Sequence, residues 1–300
     1  MTDCAIRTQN LCRSFGSTLA VDDLDLEVPR GSVFGFIGRN GAGKTTTIRM
    51  LLDLLRPDSG RAEVLGLDPR ERAVEIKRRV GYVSETPTLY GWMTVRELVR
   101  FTGQYYDTWN GERAAGLLRQ FGLDPETRVK HLSRGMAAQL SLVLALGHDP
   151  ELLILDEPST GLDVLVRRDF LASIVHLIQE EGRTVFFSSH LVHEVERVAD
   201  RVAVIEQGRL LACAPVDELK GQTKKVLVRG VADAPALEHI AGFQAMEGEG
   251  ERRLVTFAGY GPDAIAALQA TGAEVVEVVD MGLEETFIAL VRPHVGEGRA

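Results

Sequence analysis

The sequence predicts an α/β fold with a helical insertion, followed by a small α+β domain. Near the N-terminus, an apolar strand at residues 33–37 precedes a glycine-rich turn and a helix with apolar residues at helical spacing. A continuous apolar run at residues 152–155 is typical of a strand inside a parallel sheet. Toward the C-terminus the pattern becomes strand, helix, strand, strand, helix, strand, which is the order of ferredoxin-like domains. We therefore expect two domains, residues 1–219 and 225–300, with a polar linker at residues 219–225.

Local patterns predict the strands and helices of the first half of the chain. Thr94 and Glu97 form a capping box, which predicts a helix that runs to about Tyr105. No convincing strand pattern occurs in residues 86–130, so we expect a helical insertion there. Strands are expected at residues 5–11, 24–28, 33–37, 62–65 and 80–83, and further helices at residues 70–79 and 112–121.

The second half continues the alternation of strands and helices. Ser133 is expected to cap a long helix that ends near Leu146. Strands then follow at residues 152–155, 184–187, 201–205 and 209–213, with helices at 165–179 and 192–198. In the second domain we expect strands at 226–228, 243–246, 254–257 and 274–279, helices at 235–240 and 264–270, and a final helix from Leu283.

The turn after the strand at residues 33–37 has the pattern G-x-x-x-x-G-K-[ST], which in this strand–turn–helix context predicts a phosphate-binding loop. Its glycines let the backbone wrap an anion, and the start of the helix adds partial positive charge. Lys44 supplies a full charge for the outer phosphates, and the Thr45 hydroxyl can ligate Mg²⁺. The chain is therefore expected to bind a nucleoside triphosphate through Gly38, Arg39, Asn40, Gly41, Ala42, Gly43, Lys44, Thr45 and Thr46.

Two adjacent carboxylates, Asp156 and Glu157, close the apolar strand at residues 152–155. Such a pair is costly at the end of a buried strand unless cations or polar partners receive it. In an open α/β sheet this carboxyl end is where ligands bind. Beside a phosphate loop, the pattern predicts that Asp156 faces Mg²⁺ and that Glu157 faces the attacking water.

The composition limits the class of partner. A net charge of −9 and a pI of about 5.4 argue against a nucleic-acid backbone as the main partner. The three cysteines show no metal-ligand spacing, which favours reduced thiols in a cytosolic protein. The N-terminus does not read as a secretory signal, and no run of about eighteen apolar residues occurs. We therefore expect another chain to supply any membrane-spanning part.

Several motifs together resemble the ATPase subunit of ATP-binding-cassette (ABC) transporters over residues 6–213. The resemblance rests on a Walker A sequence at 38–45, a signature-like sequence at 132–136, a Walker B sequence with its glutamate at 152–157, a D-loop-like sequence at 160–163, and a switch histidine at His190. Glu85 stands where the family usually has glutamine, and Arg134 and Met136 replace a glycine and a glutamine of the usual signature. These variants, with the sequence at 281–287, resemble the branch of exporters that pairs a separate ATPase with an ABC-2-type membrane subunit.

The resemblance implies an ABC-type P-loop ATPase core that uses ATP and Mg²⁺. It implies that Glu157 and His190 are catalytic, that Thr45, Glu85 and Asp156 hold the metal, and that Phe15 stacks on the adenine. It also implies a head-to-tail homodimer, in which one subunit's signature approaches the nucleotide held by the other. The residues it assigns to nucleotide contact beyond the phosphate loop are Phe15, Ser133, Arg134, Gly135 and Asp163.

The implied partner is a separate polytopic membrane subunit, an ABC-2-type permease, and export is the expected direction. The ATPase would then be cytoplasmic and peripheral at the inner face of the cell membrane, without a nucleic-acid partner. Docking is expected near Leu89, Tyr90, Trp92 and Met93, which either receive the partner or pack the insertion onto the core. The alternatives are a soluble ABC ATPase acting on DNA or ribosomes, a phosphoryl-transfer kinase, and a regulatory module that binds ATP without turnover.

Overall fold

The computed structural model describes residues 3–160, 162, 167, 182–230, 237–248 and 250–292. By its internal contacts the chain divides into two compact units, Met1–Leu210 and Leu211–Ala300. The boundary therefore lies earlier in the chain than the predicted one. Residues 219–225 are not a linker, because they belong to the helix Val216–Gln222 and to the strand that begins at Thr223. Val216 and Leu219 bury one face of that helix, a short amphipathic pattern that the polar residues around them obscured.

The first unit contains two sheets. The strands, including one that crosses the unit boundary, are β1 Cys4–Phe15, β2 Thr18–Pro29, β3 Val33–Ile37, β4 Ser59–Val64, β5 Val80–Val83, β6 Leu152–Asp156, β7 Thr184–Ser189, β8 Arg201–Glu206 and β9 Arg209–Pro215. One sheet is antiparallel with the order β2-β1-β4, and the other has the order β5-β6-β7-β3-β8-β9. In the larger sheet β3 runs parallel to β7 and β8, and β6 runs parallel to β5 and β7. The predicted α/β class is confirmed.

The helices of the first unit follow the expected positions. They are α1 Lys44–Leu51, α2 Pro69–Arg79, α3 Val95–Gly103, α4 Gly111–Gln120, α5 Arg134–Leu146 and α6 Val192–Val198. The capping box of α3 forms, since Thr94 accepts a hydrogen bond from the Glu97 backbone and the Glu97 carboxylate accepts one from Thr94 N–H. The helix expected at residues 165–179 falls outside the described residues, apart from Arg167, which is helical.

The core of the first unit lies between the two sheets and fixes the strand that precedes the phosphate loop. All residues of β3 are buried, and α1 contacts strands of both sheets. Gly35 lets α6 approach β3 closely, because a Cβ at this position would lie 2.2 Å from Val195 Cγ1. The loop before α6, which carries His190, is thereby held next to the strand that leads into the phosphate loop.

A buried histidine lies between the helical insertion and the core. The His148 ring stacks on Tyr106 with the ring centroids 4.0 Å apart, and the side chain is almost fully inaccessible. Burial lowers the pKa of His148 from 6.5 to about 4, because the charged imidazolium loses its hydration there. The histidine is therefore neutral in the folded protein at pH 7.

This burial predicts an acid-sensitive step in stability. Between about pH 6.5 and 4 the unfolded chain binds a proton at His148 that the folded chain does not bind. The free energy of unfolding should then fall as the pH drops through this range, by about 3 kcal/mol in total. Denaturant unfolding of wild type and His148→Phe at pH 7 and 4.5 measures the difference. The phenylalanine variant should lose less stability on acidification, and equal losses in the two proteins would show that His148 does not titrate in this way.

The second unit is built on one antiparallel sheet. Its strands are β10 Thr223–Arg229, β11 Phe243–Glu247, β12 Arg252–Ala258 and β13 Glu274–Asp280, in the order β11-β12-β10-β13. Its helices are α7 Val216–Gln222, α8 Pro262–Ala270 and α9 Leu283–Val291. Of the helix expected at residues 235–240, residues 235 and 236 lie outside the described residues, and 237–239 form a turn instead. Within the described ranges, every helix is too short or too polar to cross a membrane.

Candidate active site

The glycine-rich loop between β3 and α1 is shaped by two backbone requirements. Gly41 and Gly43 have φ values of 83° and 108°, in the left-handed region that favours glycine. Gly43 also passes close to β2, where a Cβ would lie 2.4 Å from the Ala20 carbonyl oxygen. Helix α1 begins directly after Gly43, so its N-terminal N–H groups are available at the end of the loop. This arrangement is suited to hold phosphate oxygens.

The Lys44 side chain folds back over this loop. Its Nζ donates to the carbonyl oxygens of Gly38 at 2.7 Å and Arg39 at 3.1 Å, and it lies 3.0 Å from Glu157 Oε1. Only 6% of the lysine is exposed. A positive charge is thus held at the mouth of the anion-binding loop, and the carboxylate opposite it is the one that the sequence assigns to the attacking water.

Asp156 and Thr45 form the second part of the site. The Thr45 hydroxyl donates to Asp156 Oδ1 at 3.0 Å, and the Ser188 hydroxyl donates to the same oxygen at 2.8 Å. Burial raises the pKa of Asp156 above its usual range, which the two hydroxyl donors partly offset. A cation next to this carboxylate would favour its ionised form.

The oxygen donors of Thr45 and Asp156 fit Mg²⁺ that arrives with a nucleotide. Mg²⁺ prefers hard oxygen ligands, and the protein usually supplies one or two while phosphates and waters supply the rest. Within the described part of the chain, no group of three or more His, Cys, Asp or Glu residues could hold a metal alone. The donor set therefore matches a metal carried by a triphosphate.

Glu157 and His190 lie side by side on the other flank of the cleft. His190 Nδ1 is 2.7 Å from Glu157 Oε2, and the His190 backbone N–H donates to the same oxygen at 3.4 Å. Glu157 is 6% exposed and has a φ of 48°, a left-handed conformation that is uncommon for glutamate. Such local backbone strain is often found at functional sites. The carboxylate is held from both sides, by Lys44 through Oε1 and by His190 through Oε2.

Lys44, Thr45, Glu157 and His190 border one open cleft of about 470 Å³, and Asp156 contacts it through Thr45. It is lined by Ala20, Asn40, Gly41, Gly43, Lys44, Thr45, Thr46, Glu85, Glu157, Thr160 and His190. Glu85 faces this cleft and is close enough to Asp156 to raise the pKa of that carboxyl. The structure thus brings together most of the residues that the sequence assigned to the phosphates, the metal and the attacking water.

Several assigned residues lie outside the cleft lining. Phe15 is half-exposed in the β1–β2 hairpin, with the Arg13 guanidinium 4.9 Å from its ring centre. Arg39 extends toward Glu206, with 3.7 Å between Nη1 and Oε1, and contributes its carbonyl oxygen to Lys44. Ala42 is buried beneath the loop. Asp163 falls outside the described residues.

The signature-like segment forms a separate surface. Ser133 caps α5, because its Oγ accepts a hydrogen bond from the Met136 backbone at 3.2 Å. Ser133, Arg134 and Gly135 are absent from the lining of the phosphate cleft of their own chain. Arg134 instead lines a second cavity of about 390 Å³, together with Glu85 and Thr160, which also line the cleft.

Ser188, which contacts both Asp156 and Glu157, is a site residue that the sequence motifs do not predict. It donates to Asp156 Oδ1, and its oxygen accepts a hydrogen bond from the Glu157 backbone N–H at 2.9 Å. Ser188 lies opposite Asp156 in the parallel pairing of β6 and β7. Two serines that end an otherwise apolar strand, directly before His190, were the available signal.

Known proteins resemble this chain in sequence and in fold. The sequence profile of the ABC transporter family matches residues 21–160. The bacitracin transport ATP-binding protein of Bacillus licheniformis is 40% identical across 76% of this chain and 75% of that protein. A daunorubicin resistance ATP-binding protein of Streptomyces coeruleorubidus is 33% identical across 99% of this chain and 95% of that protein. Among solved structures, an ATP-binding subunit of an ABC transporter has a TM-score of 0.67 at 29% identity, covering 73% of this chain and 92% of that chain.

Proposed function

Because the chain belongs to the ABC transporter family, as an ATP-binding subunit of the exporter type, we propose that it hydrolyses ATP to drive a separate membrane subunit. The observation that carries the hydrolytic role is the contact of Glu157 with both Lys44 and His190, at 3.0 and 2.7 Å, inside the phosphate cleft. A carboxylate in this position can accept a proton from water while the lysine and the loop hold the phosphates.

The residues assigned to this site have separate tasks in ATP hydrolysis. The loop N–H groups and Lys44 bind the β- and γ-phosphates, and Lys44 exchanges its contact with Glu157 for one with phosphate. Mg²⁺, when bound, neutralises charge on the phosphates, and Thr45, Asp156 and Glu85 are the groups that would hold it. Glu157 then takes the proton of the attacking water, and His190 orients the Glu157 carboxylate.

We further propose that two copies of the chain complete each site head to tail. In support, the signature residues Ser133, Arg134 and Gly135 do not line their own phosphate cleft, and they lie at the start of α5. A helix N-terminus favours an anion, so this end of α5 can approach the γ-phosphate held by the partner copy. Asp163 and the half-exposed Phe15 are assigned to the same composite site, with Phe15 stacking on adenine.

The membrane partner is proposed to dock on the helical insertion. Tyr90 and Trp92 are 49% and 66% exposed, whereas Met93 is buried. A neighbouring cavity of about 460 Å³ separates the insertion from the edge strand β5, and Leu89 contributes to its lining. An apolar segment of a polytopic, ABC-2-type subunit at the inner face of the cell membrane fits this surface. The ATPase would be cytoplasmic and peripheral to the membrane.

Co-purification tests the transport role. The tagged chain should retain a polytopic membrane protein from detergent-solubilised membranes of its native cell. Trp92→Ala should reduce that retention, because the exposed indole is the largest apolar group of the surface. Ile288→Ala provides a control, because it removes an exposed apolar side chain from α9 of the second unit, outside the proposed docking surface and the nucleotide site. Recovery of the chain without any membrane protein would oppose the transport role.

The second unit is proposed to be a non-catalytic accessory domain of ferredoxin-like type. Its four strands lie in the sheet in the order β11-β12-β10-β13, with the first and third strands of the domain in the centre, as in ferredoxin-like domains. Its described residues form surface ion pairs, such as Lys224–Asp280 and Arg229–Glu274. They contain no phosphate-loop sequence. We assign it to the second unit, residues 211–300, and the ATPase domain to residues 1–210.

The charges of Glu85 and Arg134 are expected to act together. Both line one cavity, and Glu85 also faces the phosphate cleft. Glu85→Gln alone should tighten ATP-dependent dimerisation, and Arg134→Gly alone should weaken it. The two effects should deviate from additivity by about 1 kcal/mol, as expected for charges at a hydrated site. A double-mutant cycle at low salt measures this coupling, with Glu126→Gln as a remote control for Glu85→Gln. Additivity within about 0.5 kcal/mol would mean that the two charges act independently.

A further inference from the structure

A buried carboxylate outside the phosphate cleft connects the two loops that carry Glu157 and His190. Glu194, on α6, is only 4% exposed. Its Oε2 accepts hydrogen bonds from the Ser159 hydroxyl at 2.7 Å and from the Ser189 hydroxyl at 3.4 Å. Neither Glu194 nor the two serines line the cleft, so none of them is placed to touch a nucleotide.

The two serines are adjacent in sequence to the reacting groups. Ser159 lies two residues after Glu157, and Ser189 directly precedes His190. Both serines are almost fully buried. The Ser189 oxygen also accepts a hydrogen bond from the Leu191 backbone at 3.0 Å, which fixes the turn beyond His190. Because water is excluded here, hydrogen bonds to a charged acceptor are strong and hold both loops in one arrangement.

Arg167 completes the cluster from the other side. Its Nε lies 3.2 Å from Glu194 Oε1, and its Nη2 donates to the Leu162 carbonyl oxygen at 2.9 Å. A buried carboxylate requires such a partner, since an unpaired charge in the interior is strongly destabilising. The arginine therefore compensates the charge of Glu194 and also binds the backbone at Leu162.

We propose that Glu194 is a positioning residue for ATP hydrolysis. Through Ser159 and Ser189 it sets the separation of 2.7 Å between Glu157 and His190. The proposal rests on the hydrolytic function assigned to Glu157. It differs from a purely structural role in one respect: loosening the cluster should change the chemical step more than it changes nucleotide binding or global stability.

The test compares kcat and KM for ATP in Glu194→Gln and Ser159→Ala with the wild type. Both variants should lower kcat by about tenfold or more, because a misplacement of about 1 Å at a reacting group can cost about 100-fold. The KM for ATP should stay within about twofold of wild type, since the cleft lining is untouched. Ser32→Ala is the matched control: it removes another buried serine hydroxyl, which donates to the Pro29 carbonyl at 2.7 Å, and should leave kcat unchanged.

Measuring Ser159→Ala in a His190→Ala background distinguishes an effect on the Glu157–His190 contact from a general loss of activity. If Ser159 acts through the Glu157–His190 contact, Ser159→Ala should reduce single-turnover hydrolysis by less than about twofold once His190 is absent. The proposal would be overturned if Ser159→Ala reduced hydrolysis by the same factor in the His190→Ala background as in the wild type. It would also be overturned if the kcat of Ser159→Ala equalled that of Ser32→Ala. Should Glu194→Gln fail to fold, Ser159→Ala decides alone. Absence of hydrolysis in the wild type would refute the proposed function itself, whereas active wild type with an equally active Ser159→Ala refutes only the role of Glu194.

Discussion

Glu157→Gln is expected to abolish steady-state ATP hydrolysis and to leave ATP binding intact. The substitution keeps the shape of the side chain and leaves it within hydrogen-bond distance of His190, but it removes the carboxylate that accepts the proton of water. General-base catalysis contributes roughly 10²–10⁴ in rate, so turnover should fall by about that factor. Binding should be retained or tightened, because Lys44 no longer has a carboxylate at 3.0 Å that competes with phosphate. The ATP-bound dimer should then accumulate.

Phosphate release and equilibrium ATP binding, measured on the same purified variant, test this prediction. Glu151→Gln is the matched control, because Glu151 directly precedes β6 and pairs with Arg79 at 2.6 Å and Arg30 at 3.3 Å, outside the cleft lining. The control should retain wild-type turnover. Near wild-type turnover in Glu157→Gln would remove Glu157 from the role of general base.

Lys44→Ala should lose ATP affinity itself. The lysine is buried at the mouth of the loop, where it holds the carbonyl oxygens of Gly38 and Arg39 and faces Glu157. Its loss removes a charge that contacts phosphate in the bound ground state and leaves the Glu157 carboxylate unopposed. Hydrogen bonds to charged groups contribute about 1.5–3 kcal/mol, so affinity should fall by roughly tenfold to a hundredfold or more.

Equilibrium titration with a fluorescent ATP analogue measures the loss. Lys130→Ala, which removes an exposed lysine of the insertion, serves as the control and should bind as the wild type does. A thermal melt of each variant confirms that the protein is folded. Affinity of Lys44→Ala within about twofold of wild type would contradict the assignment of the loop to phosphate binding.

The phosphate cleft was predictable from sequence because its chemistry is local. A glycine-rich turn between a buried strand and a helix dictates the loop, and Asp156 and Glu157 follow a strand whose burial is evident from its composition. Parallel pairing of β6 with β7 and of β7 with β3 then brings these segments together. The capping residues Thr94 and Ser133 were predictable for the same reason, since a cap involves only one turn of chain.

The contacts that cross between loops were not predictable in this way. Ser188 donates to Asp156 and accepts from the Glu157 backbone across the neighbouring strands β7 and β6. Glu194 binds both Ser159 and Ser189, which are far apart in sequence, and no periodic pattern indicates such a contact. The residues 219–225 illustrate the opposite error. Their polar composition favoured a linker, but burial of Leu219 in the second unit stabilises a short helix there.

Phosphate release from ATP by the purified wild-type chain, with and without Mg²⁺ and over a range of chain concentrations, tests the central proposal most directly. We expect release that requires Mg²⁺, with a specific activity that rises with chain concentration because each site needs residues from two copies. Tight ATP binding without phosphate release at any concentration, in the presence of Mg²⁺, would contradict hydrolysis and leave the chain as a regulatory module that only binds ATP.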